Sequence, residues 1–249
     1  MLTPMRWIFS LMVLVCLVAT ARLPAVALEL DRLRMLTSAE HVPWRGVGRV
    51  NIGGRSALSM CTGTLIGEDL VLTAAHCVVN SYTGLAHQPS DVHFVAGWRR
   101  GQKVGHSNAK AIAVHPDYVS ASLVEVERIG ADMALIRLAD PIPQDKAPFF
   151  GIAPAPGLGS ALTLISYRQD RPHALTRQKG CEIIGIQDAV MAMSCNVTFG
   201  ASGSPVFMAS GDEMRVVAVI SAMGKDPRHP TAYAVVVDAA IAEVLSVLE

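Results

Sequence analysis

The sequence predicts an all-β chain built as two small barrels followed by one helix. Three observations carry that reading. Short β-type runs recur from Val47 onward, turn-forming residues are frequent (20 Gly and 14 Pro in 249 residues), and a proline-rich stretch splits the runs into two sets. The first set is Val47–Ile52, Thr62–Ile66, Leu70–Thr73, Val92–Ala96, Ala111–Val114 and Met133–Leu138. The second is Leu162–Tyr167, Cys181–Ile186, Ala192–Cys195, Val216–Ser221 and Ala232–Val237. Between them Pro141, Pro143, Pro148, Pro154 and Pro156 exclude a central strand, because proline cannot donate to a ladder, and residues 140–159 read as a linker. The tail Asp238–Leu248 is rich in Ala, Val and Leu behind an Asp and reads as a terminal helix. The expected units are therefore residues 46–139, 140–159 and 160–249. No internal repeat, heptad pattern or low-complexity tract competes with them.

Ahead of the first strand, residues 1–27 follow secretory signal logic. Arg6 supplies a positive start, Trp7 to Ala19 an apolar run, and Ala25-Val26-Ala27 an A-x-A cleavage site. The run is short for a bilayer with ~30 Å of hydrocarbon, so no lasting membrane insertion is expected after cleavage. Residues 28–45 are polar, with Arg32, Arg34 and Arg45, and read as a propeptide or an N-terminal arm. Cleavage would also remove Cys16, leaving Cys61, Cys77, Cys181 and Cys195. Four cysteines in an exported chain read as disulfides, with three possible connectivities. No C-x-x-C pair is present, so a structural zinc site is not expected.

Composition excludes more than it identifies. Lys plus Arg and Asp plus Glu both number 21, giving a formal net charge of zero, whereas nucleic-acid binders carry a basic excess. The 51% hydrophobic content supports a packed core and argues against disorder. The mean hydropathy of +0.37 owes part of its value to the first thirty residues.

Three segments carry recognisable chemistry. Leu72-Thr73-Ala74-Ala75-His76-Cys77 is a β run ending in small residues and a histidine. Ala131-Asp132-Met133-Ala134-Leu135-Ile136-Arg137-Leu138 puts an acid at the mouth of an apolar strand. Gly200-Ala201-Ser202-Gly203-Ser204-Pro205 holds a serine in a tight turn. A serine hydroxyl is a poor nucleophile until an imidazole accepts its proton. That imidazole needs a carboxylate on its other nitrogen to fix tautomer and orientation. A tight turn can also aim backbone N–H groups at a developing oxyanion.

At these residues the chain resembles the trypsin/chymotrypsin-like serine peptidases, through T-A-A-H-C at Thr73 to Cys77, D-x-A-L-I-x-L at Asp132 to Leu138, and G-x-S-G-[GS]-P at Gly200 to Pro205. His115-Pro116-Asp117-Tyr118 and Ser221 add to the likeness, which runs from about Val47 to the C-terminus. The resemblance implies two six-stranded antiparallel barrels with the site in the cleft between them. It assigns His76 as general base, Asp132 as its orienter, Ser202 as nucleophile, and the N–H groups of Gly200 and Ser202 as oxyanion hole. Ser221 would bond Asp132 and, with Ala222, present backbone to an extended substrate, while Asn196 would lie at the base of the specificity pocket. The family pairs the cysteines at Cys61 and Cys77, which leaves Cys181 to pair with Cys195 across adjacent strands. The implied activity is exported serine endopeptidase, secreted or periplasmic, acting as a monomer on protein or peptide substrates without cofactor, metal or nucleic acid.

The departures are informative. Animal enzymes hold an Asp before the nucleophile to receive a new N-terminal ammonium; here that residue is Ala201. The G-x-S-G-S-P form is similar to secreted bacterial members, including glutamyl endopeptidases. Asn196 replaces the Asp of a trypsin-like pocket, and Ile220 stands where glutamyl endopeptidases carry histidine, so neither specificity is expected. Met223, Lys225 and Asp226 read as a solvated loop at the cleft rim, and Arg99, Arg100 and Lys103 as a solvated turn rather than a polyanion site. Two other functions compete. An α/β-hydrolase elbow is excluded because Ser204 occupies the position of its second glycine. A non-catalytic homologue serving as a protein-binding module is disfavoured because all three reactive residue types are present.

Overall fold

The computed structural model describes residues 33–53, 59–120, 129–226 and 228–248. The expected signal segment, residues 1–27, lies outside the described residues, as do residues 28–32. The described chain opens with β1 (Leu33–Met35), a helical turn (Ser38–His41) and a 3-10 turn (Val42–Trp44). Six strands follow: β2 (Val47–Ile52), β3 (Ser59–Leu65), β4 (Leu70–Thr73), β5 (Val92–Ala96), β6 (Gly105–Val114) and β7 (Ala134–Leu138). They pair in the order β2-β3-β4-β7-β6-β5 and close into a barrel, with every pair antiparallel. Closure leaves no unpaired edge. In β5, Val92, Phe94 and Ala96 are buried while His93 and Val95 are not, the period of two that points alternate side chains inward.

The second half contains β8 (Ala161–Arg168), β9 (Arg171–Gln187), β10 (Val190–Met193), β11 (Pro205–Ser210), β12 (Glu213–Met223) and β13 (Ala232–Val236), then the helix Val237–Leu248. Pairings run β8-β9-β10-β13-β12-β11 and return to β8. The sheet has seven strands rather than six, because β1 adds to the edge of β9 through Leu33–Met35 opposite Thr176–Gln178. The sequence misses β11 and the first ten residues of β9.

The stretch before β2, legible only as arm or propeptide, is a packed part of the structure. Leu36 is buried, and its N–H donates to the Leu175 carbonyl at 2.9 Å. Thr37 and Glu40 form a capping box, and Glu40 also takes the Arg34 guanidinium. Trp44 then stacks on Phe150 (centroids 5.9 Å apart) and meets Phe207 at 5.0 Å, while Phe150 and Phe207 meet edge-on at 4.8 Å. Arm, linker and β11 thus share one aromatic cluster. The linker is likewise anchored at both ends: Phe150 N–H donates to Leu65 O in the first barrel and Ala153 N–H to Val216 O in the second. No described helix is long and apolar enough to cross a membrane.

Two disulfides, Cys61–Cys77 and Cys181–Cys195, close loops with sequence separations of 16 and 14. The second joins β9 to the residue two beyond β10, its antiparallel neighbour. Replacing Cys61 and Cys77 together by alanine is expected to lower unfolding stability by about 3 kcal/mol, the chain-entropy contribution of a loop this size. Urea unfolding of oxidised wild type against the double variant measures it.

Candidate active site

The register between β4 and β7 brings two of the motif residues together. Thr73 pairs with Ala134 at the end of the ladder, so the chain leaving β4 and the chain entering β7 emerge side by side. His76 sits in the 3-10 turn Ala75–Cys77, held by its disulfide, and Asp132 lies two residues before β7. The His76 Nδ1–H donates to Asp132 Oδ2 at 2.7 Å, and the His76 backbone N–H to Oδ1 at 2.9 Å. The Ser221 hydroxyl, from β12 of the second barrel, donates to Oδ2 at 2.5 Å. Both oxygens of a carboxylate only 5% exposed are therefore satisfied, as a buried charge requires.

These contacts set the protonation states. Burial alone would raise the Asp132 pKa, but the His76 charge and the bonds from His76 and Ser221 hold it below the ordinary carboxylate range. Burial alone would lower the His76 pKa; the Asp132 charge and hydrogen bond outweigh it and raise the imidazole above 6.5. The histidine side chain remains 37% exposed on the cleft side.

Ser202 lines the same cleft as His76. Its turn is fixed by backbone bonds: Ala201 N–H to Thr198 O and Ser204 N–H to Ala201 O, both 3.0 Å, and Gly203 N–H to Ile220 O, 2.7 Å. Gly200 and Gly203 both have positive φ, +88° and +76°. A Cβ at Gly203 would lie 2.2 Å from both Thr62 O and Thr73 Oγ1, so the turn passes where only glycine fits. Ala201 is 1% exposed, so the residue before Ser202 is a buried methyl rather than a carboxylate.

Thr62 on β3 is the residue that sequence reasoning missed. Its N–H donates to Ser202 O (2.8 Å), its hydroxyl to Gly200 O (2.8 Å), and its Oγ1 accepts from Tyr167 N–H at 3.0 Å. Its carbonyl accepts from the Thr73 hydroxyl at 2.9 Å. A single first-barrel threonine thus grips the serine turn of the second barrel from two sides. The only sequence sign is a hydroxyl next to Cys61 in a run of small residues.

The cleft has a volume of about 840 Å³. Val197, Phe199, Ile220, Ala222 and Met223 give it an apolar lining, with Asn196 and Thr198 as polar members. Arg168, almost fully buried, donates to Asn196 O at 2.8 Å and pairs with Asp170 at 3.0 Å. Lys225 and Asp226 belong to the cleft wall, and Asp226 is engaged by Arg228 and His229, each at 3.2 Å. Of the residues expected here, Asn196, Ser221 and Ala222 line the cleft with His76 and Ser202; Gly200 is buried and not among the lining residues.

Comparison with known proteins bears on the fold and the family. The chain superposes on a Glu endopeptidase solved in complex with MPD with a TM-score of 0.68 at 19% identity, over 86% of this chain and 93% of that one. The protease Anisep from Arthrobacter nicotinovorans gives 0.66 at 17% identity, over 87% and 100%. A thermostable serine protease, AL20, from an extremophilic microorganism gives 0.65 at 16%, over 82% and 97%. At such identities the structures establish the fold. The family model described as Trypsin matches residues 36–244, and on that match the chain belongs to the trypsin family of serine-type endopeptidases.

Proposed function

We propose that the protein is an exported endopeptidase that cleaves through an acyl-enzyme, with Ser202 as nucleophile, His76 as general base and Asp132 as its orienter. The observation that carries this reading is the Ser221–Asp132–His76 hydrogen-bond chain ending in the cleft that Ser202 also lines. Asp132 fixes the tautomer that leaves Nε2 free to take the serine proton and then stabilises the imidazolium. The N–H groups of Gly200 and Ser202 act as the oxyanion hole; the neighbouring amides of Ala201, Gly203 and Ser204 are committed to backbone bonds. Ser221 and Ala222 offer backbone to an extended substrate, and Asn196 lies in the specificity pocket. Two disulfides suit an oxidising compartment, and the signal-like residues 1–27 support secretion or a periplasmic location.

A fluorophosphonate probe tests the assignment. Covalent labelling at Ser202, identified by peptide mass spectrometry and lost in His76→Ala, is expected. No labelling of purified, disulfide-bonded protein overturns it and favours a non-catalytic binding module.

Two further outcomes are expected. The base must be neutral to accept a proton and its pKa is raised, so the acid limb of kcat/KM falls with a midpoint above pH 6.5. A pH profile on a peptide substrate measures it. The apolar lining and the absence of an acid at Asn196 favour an uncharged apolar residue on the acyl side of the cut. A peptide-library digest should rank such residues at least about tenfold above Arg, Lys and Glu in kcat/KM.

A further inference from the structure

A second cavity, of about 340 Å³, shares no lining residue with the cleft and lies between the N-terminal arm and the hairpin joining β5 to β6. Ser38, His41 and Arg45 line it from the arm, and Arg99, Arg100 and Lys103 from the hairpin. Four of these six carry a permanent positive charge, and no carboxylate is among the lining residues. Among the described residues none of the four cations has an acidic partner. The acid on the same helical turn, Glu40, is engaged by Arg34 and Thr37 and lies 3.7 Å from Arg177.

The polar atoms around this cavity are left incomplete. Arg99 Nη1 and His41 Nε2 are both buried without a hydrogen-bond partner, and His41 is only 3% exposed. Burial first, and then the charges of Arg99 and Arg45, push the His41 pKa down to about 4, so its imidazole stays neutral near pH 7. A buried donor with no acceptor is unfavourable, and so are cations gathered without a counter-charge.

The hairpin that gathers them is held firmly. Arg99 and Gln102 exchange both backbone hydrogen bonds, at 2.8 and 2.9 Å, around Arg100 and Gly101, which have φ of +46° and +88°. That is a two-residue primed turn, and arginine rarely adopts its first position. It is kept there by the bond from Arg100 N–H to His173 O in the second barrel, at 2.7 Å. Arg99 Nε also donates to Ser38 Oγ on the arm, at 3.2 Å. Arg100 and Lys103 are exposed, as a solvated turn would have them, while Arg99 Nη1 is buried, so strain and unpaired charge still meet at one hollow.

We propose that this cavity binds a multiply charged oxyanion, of phosphate or polycarboxylate chemistry, between the guanidinium groups of Arg45 and Arg99. Arg100 and Lys103 flank the opening, and the buried Nη1 of Arg99 supplies a donor still without an acceptor. Arginine's planar fork matches either anion in bidentate fashion. Because the ligand would touch both arm and hairpin, it would pin the arm to the first barrel.

The test is calorimetric titration of the purified, disulfide-bonded protein with sodium pyrophosphate and, separately, sodium citrate, at ionic strength held constant with sodium chloride. Saturable one-to-one binding of either anion is expected, with a rise in melting temperature that chloride alone does not give. Which anion binds distinguishes phosphate from polycarboxylate chemistry. Arg99→Gln should weaken binding at least tenfold. Lys103→Gln, at an exposed position that does not endanger folding, should weaken it severalfold, and Lys110→Gln, on β6 outside the cavity, should leave it unchanged. Fluorophosphonate labelling of Ser202 should persist in all three variants. No saturable binding of either anion, or equal weakening by Lys103→Gln and Lys110→Gln, overturns the proposal whatever becomes of the catalytic assignment.

Discussion

Replacing His76 by alanine is expected to lower kcat/KM by on the order of 10⁶-fold. On the proposed assignment the imidazole takes the Ser202 proton, and what remains without it comes from substrate binding and the oxyanion donors. Replacing Asp132 by asparagine should cost about 10⁴-fold by a different route. An amide directed at Nδ1 favours the tautomer carrying its hydrogen on Nε2, and that nitrogen can no longer act as a base. The fold should survive both changes, because the His76 turn is tied by the Cys61–Cys77 disulfide and β4 and β7 hold their ladder independently of the pair. Steady-state kinetics with a peptide substrate, beside a melting curve for each variant, separates lost chemistry from lost structure. Residual activity within about tenfold of wild type in His76→Ala would rule out its role as base.

Gly203→Ala is expected to have a large structural effect for a single methyl group. Two penalties coincide there. The φ of +76° is unfavourable for alanine, and the new Cβ would stand 2.2 Å from the Thr62 carbonyl and the Thr73 hydroxyl. Relief requires moving the strand that grips the serine turn. A loss of about 4 kcal/mol or more is expected, large for one substitution. For a chain of this size each kcal/mol moves the melting temperature by roughly 2–4 °C, so a fall of about 10 °C is anticipated. Gly211→Ala is the matched control, with φ of +61° and no atom within 4 Å of its Cβ. It meets the conformational penalty alone, about 1–2 kcal/mol. If the two variants melt together, the steric argument fails.

How much of this was readable beforehand depended on where side chains point. The runs at Val47–Ile52, Leu70–Thr73 and Val92–Ala96 alternate or pack apolar groups inward, and all three are strands with those bounds. The first half of β9, Arg171–Gly180, is not legible because much of it is polar, although its partner β8 lies immediately before it in sequence. β11 was hidden behind the serine motif, whose Pro205 also starts the strand. The motif residues were legible because three short patterns in a fixed order are improbable together. Thr62 was not, since its role consists of backbone and hydroxyl bonds to residues more than a hundred positions away. The basic cavity was equally hidden: Arg99 to Lys103 look like a surface turn until the fold lays Ser38, His41 and Arg45 against them.

The grip of Thr62 on the serine turn has a consequence for how such a protein survives itself. A peptidase at high concentration is its own most abundant substrate, and the segments most open to attack are those exposed when the barrels part. Parting them breaks the bonds from Thr62 to Ser202 O and Gly200 O, and separates Ser221 from Asp132. On the proposed assignment the opened copy is cleavable but disarmed, while the closed copy is armed but compact. Self-digestion therefore needs one of each. Its rate should follow the product of the two populations, so dilution or any ligand that holds the barrels together preserves activity.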